Sequence, residues 1–439
     1  MLQEFSKRGF TSLFLLVLCI AAPVLIQIQT TILETDSYLG LRVNLADFLL
    51  PVAGPVIIIS LLLKKSAWPV WNLRHMYVWL GILFSILLGA LIHSYLLYGG
   101  WSYWALYNKV LGWPVLCAYL CLGAWIAGNA DRTLLKKLLR AFFYFFLIVL
   151  LIQMVLMVAQ DFTPLRIKKW IWFPLEGLMA NRNAYAFLML IVTSCVLANA
   201  LNGYEYFSKR ASDFYFLILP LGMMDTGSRA AFLAFFVLVF LSVVIYRKAA
   251  FKALLPFLIG VALTTAVYAH APQKLTMIKW RQVEIARQAD KIVKEGGLEK
   301  AQGHIANQGD SNRLMILKDA LEMLEQKPLE GSGLGSTFLY QTEKHGEVID
   351  VIDNTSLWLM VEAGLIGFSV FAIFYALCLK TLLCSYWKSL PEHHVIYLTA
   401  LFTLLMFAVM SLFHEILYFR PMWFVLGLAL ALPKTRPAE

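Results

Sequence analysis

Arg182 and Arg229 stand where apolar runs begin, and an ionisable group at membrane depth usually faces a polar cavity and has a function. Arginine suits phosphate, because its planar guanidinium keeps its charge and makes bidentate hydrogen bonds. Several such residues around one cavity imply an anionic head group, and a lipid-linked phosphate or pyrophosphate fits best. Snorkelling at the interface is the plain alternative for both. Arg313 is a third candidate. It lies in a stretch that also holds Asp319, Glu322 and Glu325, where an ordinary ion pair competes with ligand binding. Arg166, Lys168 and Lys169 alternate with Trp170 and Trp172, as in an interfacial amphipathic stretch.

The elements that must position these residues are membrane spans. The chain has 439 residues, of which 60% are hydrophobic and 15% charged, with a mean hydropathy of +0.71. Soluble chains are about 45–50% apolar and about 25% charged. A water-soluble globular protein, a disordered chain and a nucleic-acid-binding domain are therefore excluded. The net charge of +10 reads as positive-inside anchoring. Apolar runs near 10–29, 46–63, 75–97, 110–128, 134–159, 183–201, 213–226, 229–246, 253–270, 355–379, 394–413 and 418–433 predict about twelve helices. The run at 213–226 is short and meets Asp225, Gly227 and Arg229, which suggests a broken or re-entrant segment. Clusters at Lys7–Arg8, Lys64–Arg74, Arg132–Arg140, Lys209–Arg210, Arg247–Lys252, Lys380–Lys388 and Lys434–Arg436 all fall on one side when both termini are cytoplasmic. Lys109, Arg166, Lys168, Lys169, Arg182 and Arg229 fall on the other side, where the positive-inside rule gives no reason for them.

The expected fold is thus an all-α integral membrane protein. Residues 1–270 form about nine spans, 271–354 a mainly helical periplasmic loop domain, and 355–439 about three spans. The segment 271–354 carries 11 Lys/Arg and 13 Asp/Glu, so it is solvated and nearly neutral. Its stretches 274–300 and 311–327 read as amphipathic helices joined by the loop 301–310, with Asp310 or Ser311 as a cap. Pro328, Gly331, Gly333 and Gly335 mark a loop over 328–340. Of the six cysteines only Cys384 lies outside an apolar run, and no metal-ligand spacing accompanies Cys117 and Cys121. No phosphate-binding glycine loop, zinc-protease helix motif or EF-hand pattern occurs. A transporter usually carries facing charges at mid-span. Glu362 is the main candidate for that here, and it lies near the external end of its span.

Several local motifs, in order along the chain, resemble the O-antigen ligase and O-antigen polymerase superfamily of bacterial inner-membrane glycan transferases. Ala180-Asn181-Arg182-Asn183 opens one span and Thr226-Gly227-Ser228-Arg229 another. Arg313 to Leu317 fits an R-x3-L pattern, and Lys327 to Gly335 resembles a Pro-Leu-x-Gly-x-Gly turn. Asn354, followed after nine residues by Gly364-Leu365-Ile366-Gly367, matches a ligase motif beyond its first position, where Asp353 replaces the family's His. The resemblance implies metal-independent glycosyl transfer without a cofactor, from undecaprenyl pyrophosphate to lipid A-core oligosaccharide. A repeat-unit polymerase using the same donor is the alternative, and a lipid or glycan transporter is a further one. It also implies that Arg182, Arg229, Arg313 and Asn354 bind donor pyrophosphate or glycan, and that Asp353 acts as base. His345, eight residues upstream, is a second candidate base, and His304 and His414 are others. Partners would be the lipid-linked donor, the acceptor and membrane lipids.

This topology puts both termini in the cytoplasm and residue 305 in the periplasm. A periplasm-active reporter fused at 305 should be active, and one fused at 439 silent; activity at 439 would break the topology.

Overall fold

The computed structural model describes residues 2–34, 40–162, 175–179, 181–270, 313–346, 348 and 351–433. The expected helix at 274–300, the loop 301–310 with His304, its cap residues, and the cation–tryptophan stretch 166–172 lie outside the described residues. Each of the twelve apolar runs falls on one helix: α1 (Leu2–Leu25), α2 (Leu50–Leu62), α3 (Met76–Tyr98), α4 (Gly112–Asn129), α5 (Arg132–Phe162), α6 (Arg182–Leu201), α7 (Lys209–Thr226), α8 (Arg229–Tyr246), α9 (Lys248–His270), α12 (Thr355–Lys388), α13 (His394–Met410) and α14 (Arg420–Leu430). Between α9 and α12 lie α10 (313–326) and α11 (Ser336–His345). Among the described residues, nine helical segments are long and apolar enough to cross a membrane. The chain is an all-α membrane protein.

Three runs depart from the simple span. In α1 the apolar part is Leu15–Leu25, and α14 has only 11 residues. The run at 213–226 is not broken. It is the C-terminal part of α7, a continuous 18-residue helix capped by Gly227 in the left-handed conformation. Pro220 sits within it without ending it. Two features carry no hydropathy signal: the antiparallel pair β1 (Gln29–Ile32) and β2 (Leu41–Asn44), and a π-helical turn at Ala105–Val110 before α4.

The polar segment is shorter as a loop than its glycines suggest. The turn ends at Gly335, and α11 begins at Ser336. That turn is inserted into the membrane bundle. α12 is broken at Gly364, whose φ of 70° and ψ of 177° are not helical. In an unbroken helix the Leu365 and Ile366 amides would donate to the Val361 and Glu362 carbonyls. Instead they donate to the Pro328 and Leu329 carbonyls, at 2.9 and 3.2 Å. The two freed carbonyls accept from the Ser332 and Gly333 amides, at 2.8 and 3.0 Å. These two lost bonds are thus replaced by four to the turn. This satisfies the rule that irregular backbone at membrane depth must be buried in protein. The Leu334 amide also donates to the Ala90 carbonyl of α3 at 2.8 Å.

The fit leaves no room for a side chain at the break. A Cβ on Gly364 would lie 2.0 Å from the Leu329 carbonyl oxygen, and one on Gly331 would lie 2.4 Å from the Gly364 nitrogen. Gly364→Ala combines that clash with an unfavourable backbone conformation and should cost roughly 2–4 kcal/mol. Gly89→Ala, where a Cβ would meet nothing within 4 Å, is the control. Thermal unfolding in detergent should show a marked loss for the first variant and almost none for the second.

Candidate functional site

One end of the bundle collects the polar loops, and three local devices set its geometry. The first is the start of α6. Asn181 caps the helix, its side chain accepting from the Asn183 and Ala184 amides, and this puts Arg182 at the rim. The segment 175–179 folds over that rim: the Leu175 amide donates to the Asp225 carbonyl at 2.7 Å, and the Gln29 amide to the Leu178 carbonyl at 3.4 Å. Burial raises the Glu176 carboxyl above its usual range, and the charge of Arg182 partly offsets the rise.

The second device joins the start of α12 to the loop between α13 and α14. The Thr355 amide donates to the Ser411 carbonyl at 2.9 Å. The Thr355 hydroxyl donates to the His414 carbonyl at 2.9 Å and accepts from the Ile416 amide at 3.2 Å. Asn354 is the helix cap: its Oδ1 accepts from the Leu357 amide and its Nδ2 donates to the Leu412 carbonyl, both at 2.9 Å. The side chain expected to bind substrate is thus engaged at both ends in holding this corner, and it carries Asp353 to the rim.

The third device is α10, whose first described residue, Arg313, reaches Asp353. Arg313 Nη2 lies 3.1 Å from Asp353 Oδ2, and the two side chains are 49% and 38% exposed. An ion pair that open is worth only about 0–1 kcal/mol, so an incoming anion can compete for the guanidinium.

These devices bring five expected or motif residues together. His414 is half-buried, with Nδ1 3.3 Å from Nδ2 of the Asn183 side chain. Burial first, then the charges of Arg313 and Arg182, push its imidazole down to about 4. Arg182, Asn183, Arg313, Asp353 and a neutral His414 therefore share one rim. Such a set can bind an anion between guanidinium groups and offer a carboxylate or an imidazole as proton acceptor.

Two expected residues are placed elsewhere. Arg229 follows the Ser228 cap of α8 and is exposed. It sits at the same end of the bundle, four residues after Asp225, whose carbonyl accepts from the Leu175 amide. His345 does not reach Asp353 by any contact among the described residues. Its Nε2 lies 2.8 Å from Asp319 Oδ2, while Lys344 reaches Asp319 at 2.9 Å and Glu322 at 2.6 Å. Burial pushes the Asp319 carboxyl up, but hydrogen bonds from Lys344 and His345 outweigh it and hold the group low. These contacts fasten α11 to α10. Glu176 carried no signal in the sequence, while Asn183 was visible only as part of the Asn-Arg-Asn motif.

The fold is thus an all-helical membrane bundle that carries arginines, a carboxylate and an imidazole at one rim. Residues 214–372 match the family model described as O-antigen ligase. The match runs from α7 into α12 and includes Arg229, Arg313, the 328–335 turn, Asp353, Asn354 and the break at Gly364; Arg182 and His414 lie outside it. The resemblance to the O-antigen ligase superfamily is therefore borne out over that segment. No curated protein matches the chain.

His414 gives the site a pH signature. Its ordinary value is 6.5, and the folded protein holds it at about 4. Between these values the unfolded chain binds a proton that the folded one does not, so stability falls as pH drops from 6.5 towards 4. Above 6.5 the group contributes no slope. His414→Gln should unfold with a shallower pH dependence across this window than the wild type; identical slopes in detergent melts at pH 7, 6 and 5 would contradict the assignment.

Proposed function

We propose that the protein transfers a glycan from a polyprenyl pyrophosphate, undecaprenyl pyrophosphate in the bacterial inner membrane, to an acceptor sugar hydroxyl at the periplasmic face. The observation that carries this reading is the convergence of Arg182 and Arg313 with Asp353 and His414 at one rim, in a chain whose residues 214–372 match an O-antigen ligase model. The acceptor is lipid A-core oligosaccharide in the ligase reading. In the polymerase reading it is another lipid-linked repeat unit.

The acceptor oxygen attacks the anomeric carbon, the bond from that carbon to the pyrophosphate oxygen breaks, and the pyrophosphate leaves with the electron pair. Arg182 and Arg313 neutralise the charge that grows on the leaving group, with Arg229 at the approach. Binding of the pyrophosphate draws Arg313 from Asp353, and the released carboxylate takes the acceptor proton. His414 supports a second assignment of the base, because an imidazole kept neutral in the site is also a proton acceptor. His345, committed to Asp319, holds α11 in this reading. Asn354 positions Asp353 by capping α12.

Arg182→Ala and Arg313→Ala should each lower transfer about 30- to 1000-fold, equivalent to roughly 2–4 kcal/mol of transition-state stabilisation. Lysine should rescue only partly, for want of the bidentate fork. Asp353→Asn keeps the size and removes the basic carboxylate, whereas Asp353→His restores the residue usual in the family. If Asp353 is the base, the Asn variant is nearly inactive and the His variant retains activity. If both are inactive or both transfer normally while His414→Gln is dead, the imidazole is the base. The lipopolysaccharide of a deletion strain separates the two acceptors on a gel. A ligase null loses all O-antigen from the core, and a polymerase null keeps a core bearing a single repeat unit. An unchanged profile would sink both.

A further inference from the structure

Lys109 is one of the cations that positive-inside anchoring does not explain, and it does not face the rim. Its side chain is 2% exposed. A buried ammonium is costly unless it is paired and its remaining faces are covered. Nζ makes an ion pair with Glu415, itself only 12% exposed. It also lies 4.4, 4.2 and 4.5 Å from the ring centroids of Trp104, Trp358 and Tyr418. Attraction between a cation and three ring faces is strongest where water is excluded. An ammonium closed in this way has no face left for a substrate.

Its partners belong to the segments that carry the rim. Glu415 follows His414 in the loop between α13 and α14. The Tyr418 hydroxyl of the same loop donates to the Lys109 carbonyl at 3.0 Å, so Lys109 holds this loop by side chain and backbone together. Trp358 lies one turn beyond Asn354 in α12. The Trp358 indole donates to Glu362 Oε2 at 2.7 Å, and Glu362 also accepts from the Gly335 amide and the Thr337 hydroxyl, both at 2.9 Å. The residue that looked like a mid-span transport charge is thus a carboxylate fixed by the 328–335 turn and its neighbour. Lys109 itself sits in the π-helical turn Ala105–Val110. Such a widened turn is rare and often accompanies a functional site.

We propose that Lys109 is a positioning residue for the transfer reaction. Its ammonium, held by Glu415 inside the aromatic cage, keeps the loop 411–419 against α12, so that His414 keeps its place beside Asn183 at the rim. This rests on the transfer reading above. A displacement of about 1 Å in such a loop is enough to lower a rate about 100-fold.

The test uses purified full-length protein with a polyprenyl-pyrophosphate-linked O-glycan as donor, and both lipid A-core oligosaccharide and a second lipid-linked repeat unit as acceptors. Lys109→Met keeps the length of the side chain and removes the charge. It should lower kcat per folded molecule by about 10- to 100-fold while the donor KM changes less than about threefold. Lys109→Arg, which still reaches Glu415, should recover part of the loss. In hydrogen exchange, the amides of 411–419 should exchange faster in Lys109→Met, and those of 396–408 at the wild-type rate. A kcat per folded molecule within twofold of wild type, or unchanged exchange in 411–419, would overturn the proposal. If Lys109→Met does not fold, the isosteric Glu415→Gln removes the other half of the pair and is judged by the same two readouts. Absence of transfer by the wild-type protein would remove the transfer reading, and the exchange data would still decide whether Lys109 anchors the loop.

Discussion

The arrangement of the whole molecule turns on four backbone hydrogen bonds at one broken helix. The break at Gly364 leaves the Leu365 and Ile366 amides and the Val361 and Glu362 carbonyls without helical partners, and the turn 328–335 supplies all four. In a hydrocarbon setting, where water is scarce, each such group left alone would cost several kcal/mol. The polar segment therefore forms one unit with the membrane bundle. α10 runs directly into the turn, and the first piece of α12 begins at the Asn354 cap. The same exchange thus fixes both ends of the Arg313–Asp353 contact. Glu362 strengthens it, since its carboxylate accepts the Gly335 amide at the end of the turn.

Around this joint the cations fall into two kinds. Lys109 and Arg420 are committed within the protein: the first enclosed in its aromatic cage, the second, partly exposed, on Asp47 at 2.8 Å, with the Tyr119 hydroxyl on the same carboxylate at 3.1 Å. Both tie the loop between α13 and α14 to earlier parts of the chain. Arg229 and Arg313 are exposed and Arg182 is half-buried, so their guanidinium groups stay within reach of a ligand. The committed cations spend their charge on the protein and supply geometry. In the transfer reading, Arg182 and Arg313 supply a field at the rim, where it would stabilise a developing negative charge. At the opposite end, Arg132 pairs with Glu205 and with Glu392 at 3.1 Å, and Lys136 reaches Glu205 at 3.2 Å. Those pairs gather one of the clusters on the side expected to be cytoplasmic.

The ligase and polymerase readings demand the same things of this rim: a grip on pyrophosphate, a proton acceptor, and an approach for a sugar hydroxyl. Nothing in those demands depends on what the acceptor sugar is attached to. The stretch that matches the O-antigen ligase model contributes the carboxylate and Arg313, whereas Arg182 and His414 come from α6 and from the loop after α13. A site assembled from both sides of the matched stretch explains why each motif is weak when read alone. The motifs acquire meaning from the contact among Asn183, His414 and Thr355.

Run length and composition determined the class of the protein. A helix must present about twenty apolar residues to hydrocarbon, and that requirement is written locally, so all twelve runs became helices. The caps at Asn181, Ser228 and Asn354 are local in the same way, since a cap acts on amides two or three residues away. The break expected in α7 is absent, because its charged first turn shortened the apolar run without shortening the helix. Which polar residues meet was decided only by the tertiary structure. His345 and Asp353 are eight positions apart, yet one pairs with Asp319 and the other with Arg313. Lys109 meets Glu415 across 306 positions. Hydropathy and spacing describe how a segment meets its solvent, and they carry no record of distant partners. The packing of helices around the break at Gly364 is what gave each charge its neighbour, and with it the difference between a structural cation and one open to a ligand.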